Sequence, residues 1–327
     1  MKVIKFFAIT AMAAAMITSC SNEDELSQSN YPSDNIIRVT AGVNNAKTRA
    51  EGAGTEMKKD FSLTIVNKNA PKYTYTDKVF SKSSGDWACS ETLLWQKSDA
   101  LVDIVAFAPA QTGKFNGVYA NGSIQPIAYS VAKDQTTADD KNDLLYYYAK
   151  DFNPGESLDK GKLKIQFNHA FCMIDINVTL GTEFNKPEVL KESPIVKVTL
   201  GGTKIAANVN VTNAASVVTI SETDAATDIT TTKGSFDKAA DPEANAKSHF
   251  SCIAIPQTVG ANTFKVSLKT AGKLYEWTSD KEITLQSGYR YTLNLSMGND
   301  VVLLKGGSIS ASPWTEGDTG DKPLETD

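Results

Sequence analysis

The residue whose type and position indicate the most specific chemistry is Cys20. It follows residues 17–19, Ile-Thr-Ser, and an apolar stretch, 3–16, that opens with Lys2 and Lys5. A short positive start, a short apolar stretch and small residues before a cut are typical of a secretory signal peptide, and the stretch is shorter than the roughly 20 residues of a bilayer span. A cysteine at the cut is the bacterial lipobox. We expect residues 1–19 to be removed and Cys20 to be lipidated, with an ordinary secreted protein as the alternative.

The segment after Cys20 bears on where the lipidated chain would go. Residues 21–25 read Ser-Asn-Glu-Asp-Glu, which resembles the acidic surface-export tag of lipoproteins in Bacteroidetes-type bacteria. A charged segment without apolar residues also suits a solvated tether. Both interpretations agree with a protein exported to the outer surface of the cell.

Residue types that carry catalysis or bind metals are scarce. The two histidines, His169 and His249, each stand alone in a strand pattern, and no pair has metal-ligand spacing. His169 with a distant Ser or Cys would be one catalytic possibility; a structural histidine at a β-bulge is the interpretation we favour. The acidic turn at residues 139–143 lacks the spacing of known calcium loops. We therefore predict no enzyme activity, no catalytic residue, no metal and no cofactor.

Charge and cysteine content narrow the classes further. The chain has 327 residues, a formal net charge of −5 and a pI of about 5.3, which gives no sign of a nucleic-acid partner. Beyond Cys20 there are three cysteines, so at most one disulfide forms and a disulfide scaffold is excluded. Of these, Cys172 lies in an apolar strand pattern and is expected to be a small buried hydrophobe. The other two are Cys89 and Cys252.

The four tryptophans, Trp87, Trp95, Trp277 and Trp314, allow an alternative function. Aromatic platforms on surface β-sandwich lipoproteins stack on sugars, so a solvent-facing pair would indicate glycan binding. Tryptophans in strands are more often core or interface residues. Glycan capture by a monomeric surface lipoprotein is therefore the second hypothesis.

The elements that must position these residues are β-strands. Two-residue alternation recurs along the chain, and Gly, Asn, Asp, Ser and Pro separate the runs. Short strands without a fixed-period repeat favour an all-β chain of two tandem β-sandwich domains. Residues 152–161, which contain Pro and two Gly, mark the best boundary. The main predicted strands are residues 36–43, 61–65, 101–108, 124–131, 144–148, 163–180, 196–200, 250–255, 264–268, 283–285, 289–297 and 301–304, and residues 214–246 are expected to be a long loop with short strands.

The segment 163–180, which we expect to be one long strand or a pair of strands, changes its alternation partway. Leu163, Ile165 and Phe167 share one parity, whereas Cys172 and the apolar residues after it take the other. Because a one-residue slip moves every side chain to the opposite face, we expect a β-bulge near residues 168–170.

Seven segments taken together resemble the fimbrillin-like subunits of Bacteroidetes type V pili. Their order and spacing, rather than any one segment, make the resemblance specific, and residues 167–178 carry the most specific of them. The segments are residues 39–50, 94–109, 143–146, 167–178, 255–258, 285–291 and 309–314.

The resemblance implies an architecture and an assembly mechanism. It implies transthyretin-like, Greek-key β-sandwiches: an N-terminal one over residues 50–158 and a C-terminal one over 159–314. Family precursors reach the outer membrane as lipoproteins and are cut after an arginine, which in this chain matches Arg49 and leaves Ala50 as the new N-terminus. The cut would release residues 20–49 as a propeptide, including the first strand, and a strand from a neighbouring subunit would fill the groove.

The last residues bear on the position of the subunit in a pilus. Residues 315–327 contain one aliphatic residue, Leu324, and show no alternation, so this polar tail is poorly suited to fill an apolar groove. A tip or accessory subunit is therefore favoured over a stalk subunit or an anchor. The expected partners are other pilus subunits, the outer membrane through Cys20 before processing, and a host protein or glycan. The expected location is the outer membrane, then the surface fimbrium.

Overall fold

The computed structural model describes residues 30–44, 55–83, 85–110, 118–137, 142–185, 188–221, 223–304 and 309–314. Helical structure in these ranges is short: α1 is Pro154–Ser157, and single 3₁₀ turns lie at Pro71–Tyr73 and Thr182–Asn185. No helix in the described ranges combines the length and apolar character needed to cross a membrane.

The prediction of an all-β chain is confirmed. The strands are β1 Val39–Val43, β2 Thr55–Glu56, β3 Phe61–Val66, β4 Tyr75–Ser83, β5 Asp86–Cys89, β6 Val102–Ala108, β7 Tyr119–Ala120, β8 Ser123–Ile124, β9 Ile127–Ser130, β10 Leu145–Phe152, β11 Leu163–His169, β12 Cys172–Leu180, β13 Ile195–Gly201, β14 Ala206–Val209, β15 Val218–Ile220, β16 Ile229–Thr230, β17 Thr232–Asp237, β18 Lys247–Ala254, β19 Thr258–Val259, β20 Lys265–Thr270, β21 Leu274–Thr278, β22 Ile283–Thr284, β23 Tyr289–Met297, β24 Val302–Leu304 and β25 Ser310–Pro313.

The N-terminal sheet closes on itself. Its eight strands run in the order β11-β10-β6-β3-β4-β5-β1-β2, and β1 pairs in addition with β11. The closing strand β1 is parallel to β11 and antiparallel to β5. Because closure removes the unpaired edges of a sheet, β1 is the element that completes this layer.

The N-terminal core fills the interior of this sheet. It gathers side chains from β1, β3, β6, β10 and β11 together with Trp87 and Trp95. Phe61 lies at its centre, with its ring centroid 5.4 Å from that of Phe80, 4.9 Å from that of Trp87 and 5.4 Å from that of Phe167. Aromatic rings at these separations add packing energy to the burial of their area.

The C-terminal core is larger and lies between further sheets. A six-stranded sheet contains β17-β18-β12-β23 with β24 and β25 both on β23, and a four-stranded sheet has the order β16-β13-β20-β21. The central strand β12 is antiparallel to β18 and parallel to β23. Side chains of the N-terminal sheet also enter this core, among them Val105 and Phe107 of β6, and β9 pairs with β14. The two halves of the chain therefore share packing across their junction.

The expected bulge at residues 168–170 is a change of sheet instead. The strands β11 and β12 are separate: the first pairs with β1 and β10, the second with β18 and β23. Leu163, Ile165 and Phe167 lie in the N-terminal core, whereas Cys172 and Ile174 lie in the C-terminal core. The parity changes because the chain passes from one core to the other. The predicted division into residues 50–158 and 159–314 stays a prediction, and β11 belongs to the N-terminal sheet.

Candidate functional site: the first strand and its slot

The most distinctive arrangement is the slot between β5 and β11 that β1 occupies, called the β1 slot below. Its backbone bonds are continuous on the β11 side, where the Leu163 amide donates to the Arg38 carbonyl at 2.7 Å and the Asn44 amide to the Phe167 carbonyl at 2.8 Å. Before the strand, the Ile37 amide donates to the Leu93 carbonyl at 2.9 Å. The slot thus holds an extended segment longer than β1 itself.

The side chains of the segment alternate as the sequence predicts. Ile37, Val39 and Val43 are buried, with exposures of 6%, 4% and 0%, and Arg38 and Thr40 face solvent. Full burial of each Val or Ile contributes about 1.5–3 kcal/mol, so the three together contribute about 5–9 kcal/mol, an upper estimate. That is comparable to the net stability of a whole domain. Emptying the slot would leave the N-terminal sheet poorly stable until another strand filled it.

A short ionic clamp precedes β1. The Arg38 guanidinium donates to both carboxylate oxygens of Asp34, at 2.9 and 2.6 Å, and the Ile36 amide donates to the same carboxylate at 3.0 Å. These hydrogen bonds lower the pKa of Asp34 to about 2, and the bond from Arg38 has the larger effect. The pair is exposed, so it shapes the entry of the chain into the slot and adds little to stability.

A buried polar cluster lies where β11 ends and the two cores meet. His169 Nδ1 lies 2.9 Å from Asp143 Oδ1, and the Lys59 ammonium donates to Asp143 Oδ2 at 3.3 Å. The ring of His169 stacks on that of Trp314, with centroids 3.8 Å apart and planes 15° apart. Burial alone would raise the pKa of Asp143, but the charge and hydrogen bonds of His169 and Lys59 together lower it. This cluster ties the last described strand to the junction.

The cluster pairs an acid with a histidine, but among the described residues no nucleophile completes a catalytic set. Nε2 of His169 is buried and has no hydrogen-bond partner among the described residues, so no serine or cysteine nucleophile contacts it there. Its position at the end of β11 agrees with a structural histidine. In the other histidine, His249, Nδ1 lies 2.8 Å from Asn177 Oδ1 and Nε2 lies 2.9 Å from Asp237 Oδ2. In the described ranges, no three His, Cys, Asp or Glu side chains group as a metal site would require.

The three described cysteines are free thiols. Cys172 is fully buried, as predicted, and its thiol donates to the Ala254 carbonyl at 3.2 Å. Burial strongly raises the pKa of Cys172 and of Cys252. Both are therefore unreactive packing residues.

The tryptophans do not form the solvent-facing pair that the glycan-binding alternative would need, and three of the four are core residues, as strand tryptophans more often are. Trp87, Trp95 and Trp314 are buried, with exposures of 9%, 2% and 6%. Trp277 is half-buried and packs edge-on against Phe264, with centroids 6.4 Å apart. Alternation along a strand indicates one face, but it does not reveal whether a second layer covers that face.

Several residues of the sequence predictions lie outside the described ranges. They are Cys20, Arg49, Ala50, residues 139–141 of the acidic turn and the tail 315–327. Of the acidic turn, Asn142 and Asp143 are described, and both are nearly buried. Asn142 accepts a hydrogen bond from the Ala132 amide at 2.7 Å. The structure brings together instead what the sequence analysis did not connect: residues 36–43 and the parallel strand β11, more than 100 positions later.

Comparisons with known proteins agree with this architecture. A sequence profile described as fimbrillin-like matches residues 48–314, whereas no curated protein sequence matches. Among solved structures, a Bacteroides ovatus protein whose name proposes a role in cell adhesion superposes with a TM-score of 0.61 at 16% identity, covering 85% of this chain and 97% of that one. A fimbrial protein from Bacteroides vulgatus gives 0.53 at 15% identity, covering 86% and 99%. The C-terminally truncated tip fimbrial protein Mfa3 of Porphyromonas gingivalis gives 0.50 at 10%, covering 85% and 99%.

At these identities the structural matches establish a shared fold, and the profile establishes the family, because it spans most of the chain. The family consists of structural subunits of cell-surface fimbriae rather than enzymes. With a closed N-terminal sheet and a profile match from residue 48 to Trp314, this chain belongs to the fimbrillin-like family of fimbrial subunits.

Proposed function

We propose that this fimbrial subunit assembles by protease-triggered donor-strand exchange and acts in cell adhesion at the tip of the fimbrium or as an accessory subunit. The precursor is lipidated at Cys20 and held on the outer membrane. A protease cuts between Arg49 and Ala50, residues 20–49 leave with β1, and a strand from a neighbouring subunit takes the place of β1 in the slot.

One observation carries this proposal: the strand that closes the N-terminal sheet is also the strand that a cut after Arg49 would detach. Arg49 follows the last residue of β1, Val43, by six positions. Arg49 lies in a polar stretch with small residues on both sides, which is the kind of segment that proteases cut. Once the stretch is cut, β1 is held by non-covalent contacts alone.

The structure defines what the departure of β1 would expose. Backbone groups of β11 over residues 163–167 and of β5 at Trp87 would lose their partners. The buried side chains of Leu163, Ile165 and Phe167 would lose their contacts with the apolar side chains of β1. Unpaired strand edges beside an apolar groove are the features that β-augmentation uses. The incoming strand needs apolar side chains at alternate positions to replace Ile37, Val39 and Val43.

The tip or accessory role rests on the composition of residues 315–327. A donor strand for such a slot needs at least three alternating apolar residues, and this segment offers Leu324 alone among acidic, polar and glycine residues. The Mfa3 structure is that of a tip fimbrial protein with the same fold, which agrees with this role. The proposed partners are other fimbrial subunits and a receptor on another cell.

The test is N-terminal sequencing and intact-mass measurement of the protein recovered from the cell surface. The proposal expects a chain that starts at Ala50 and is found in strand-exchanged oligomers. Arg49→Ala should be exported and lipidated but stay uncut and monomeric, whereas the control Lys47→Ala, in the same stretch, should be processed normally. Cys20→Ala should lose membrane attachment.

Two results would contradict the proposal. A surface protein that starts at lipidated Cys20 in assembled fimbriae would show that β1 stays in place. Normal incorporation of Arg49→Ala into fimbriae would remove the cleavage step from the mechanism.

A further inference from the structure

A cleft of about 370 Å³ opens at the junction of the two halves, beside the end of β1. The cleft is open to solvent rather than enclosed, so a ligand there would stay partly exposed. Its floor comes from the N-terminal sheet and its wall from the hairpin of β14 and β15, and Asn44 lies at its rim. The side chains used below are those of Tyr146, Tyr148, Gln166, Asn168 and Val217.

The floor of the cleft combines two strands in register. Tyr146 pairs with Asn168 across β10 and β11, and the two-residue period places Tyr148 and Gln166 on the same face. Leu145 and Phe167, of the opposite parity, lie in the N-terminal core. The floor therefore presents two tyrosines and two amides to the cleft, and Val217 contributes to the apolar wall opposite.

The polar groups on this floor have unused hydrogen-bonding capacity. The hydroxyls of Tyr146 and Tyr148 and the amide of Gln166 bond no other described residue, and Asn168 uses one oxygen, which accepts from the Asn44 amide at 2.8 Å. Burial raises the pKa of both tyrosines, so their hydroxyls remain neutral donors at physiological pH. Side-chain amides offer two donors and one acceptor oxygen in one plane.

The two strands of the floor are paired with each other over a short stretch. The strand β11 is paired with β1 from Leu163 to Phe167, and with β10 at Asn168 and His169 alone. On the β10 side, residues 163–167 have no strand partner among the described residues, so a peptide is the competing occupant, and the peptide array below tests it. The side chains on the floor are the groups that carry the recognition proposed here.

The absence of charge narrows the chemistry of the ligand. None of the described residues that line the cleft is acidic or basic, and Lys68, whose charge acts on Tyr148, is already paired with Asp103 and Asp151. A phosphate or a carboxylate would therefore find no free counter-ion in the lining. Aromatic rings pack against the C–H faces of a sugar ring, and planar amides bond pairs of its hydroxyls. We propose that this junction cleft, with Tyr146, Tyr148, Gln166 and Asn168 as its floor, binds a neutral glycan.

This inference is independent of the processing scheme. The four floor residues all lie after the expected cut at Arg49, whereas Asn44 lies before it. Removal of residues 20–49 would free the Asn168 amide oxygen, and a donor strand in the β1 slot would restore the partner that β11 loses. Binding is therefore expected in the uncut form and in the cut form whose slot is filled.

The experiment screens the purified protein, made with Cys20→Ala so that it is soluble, on an array of neutral and acidic oligosaccharides and on a peptide array. We expect neutral oligosaccharides to bind, and the strongest is then titrated by calorimetry. The double variant Gln166→Ala/Asn168→Ala, which loses two neutral hydrogen-bonding groups, should bind it about tenfold or more weakly. Tyr148→Ala should reduce affinity more than Tyr148→Phe, which keeps the ring.

The matched control is Asn69→Ala/Gln286→Ala, which removes two exposed amides that do not line the cleft and should leave affinity unchanged. Thermal unfolding midpoints of all variants show whether the fold is kept. Any of four results would overturn the inference. The first two are that no neutral oligosaccharide binds, or that acidic glycans alone bind. The other two are that Gln166→Ala/Asn168→Ala binds as tightly as the control variant, or that the protein binds a peptide and the floor variants no longer bind it.

Discussion

Shortening one fully buried side chain of β1 should destabilise the N-terminal sheet by a predictable amount. Val43 is 0% exposed and pairs with Phe167. Val43→Ala removes two methyl groups, about 1.6 kcal/mol of burial at roughly 0.8 kcal/mol each. The residual cavity raises the expected loss in free energy of unfolding to about 2–3 kcal/mol.

The assay is urea unfolding of the protein carrying Cys20→Ala, followed by tryptophan fluorescence, because Trp87 lies against β1 across from Val39. The control is Thr40→Ala, in the same strand with its side chain in solvent. A surface substitution of this kind changes stability by about 0.5 kcal/mol or less. The two variants therefore compare a buried side chain of β1 with an exposed one.

The same loss should appear in the kinetics of strand release. If the chain is cut after Arg49 in vitro, the segment that contains β1 is held by non-covalent contacts, and a deficit of 2–3 kcal/mol corresponds to about 30- to 150-fold weaker retention. The release of the segment is followed by mass spectrometry of the filtrate. Equal stability and equal retention for Val43→Ala and Thr40→Ala would refute the view that β1 is a buried closing strand.

Three further predictions follow from the junction and the thiols. Trp314→Ala, which removes a buried ring that stacks at the junction, should lower the free energy of unfolding by about 3–5 kcal/mol, measured by urea titration. Asp143→Asn should lower the free energy of unfolding by about 2–3 kcal/mol at pH 7. Because the pKa of Asp143 is lowered in the folded protein, the stability that its carboxylate contributes is present above about pH 4 and is lost as the pH falls. The difference in free energy of unfolding between the variant and the unsubstituted protein should therefore shrink in acid. At pH 8, iodoacetamide should alkylate the partly exposed Cys89 far faster than Cys172 and Cys252, whose thiols are buried with raised pKa values; mass spectrometry of the native protein checks this, and equal rates would contradict it.

Much of the strand content was accessible from alternation. The apolar parity of Leu163, Ile165 and Phe167 and its reversal at Cys172 are visible in the sequence. The reversal was assigned to a bulge because sequence parity is the same whether a strand is kinked or leaves one core for another. The pairing partners decide between these cases, and they are distant in the chain.

The tryptophan and tyrosine predictions show the same limit. Trp95 and Trp314 were candidate platforms by type, yet other side chains cover them. The tyrosines at residues 146–148 lie in a predicted strand, and all three line the cleft at the junction with the C-terminal core, which alternation does not indicate. Exposure depends on what packs above a strand, which alternation within the strand does not encode.

The sequence by itself determined the all-β character, the positions of most of the long strands and the resemblance to a fimbrillin-like subunit, because a two-residue period and turn residues are local properties. It did not show β4, β5 or β21, which lie outside the predicted strands. The tertiary structure alone decided that β1 closes the N-terminal sheet against β11, that Asp143, His169 and Trp314 meet at the junction, and that tyrosines and amides line an uncharged cleft. These are contacts between segments far apart in the chain. They follow from the packing of two cores against each other rather than from any local pattern.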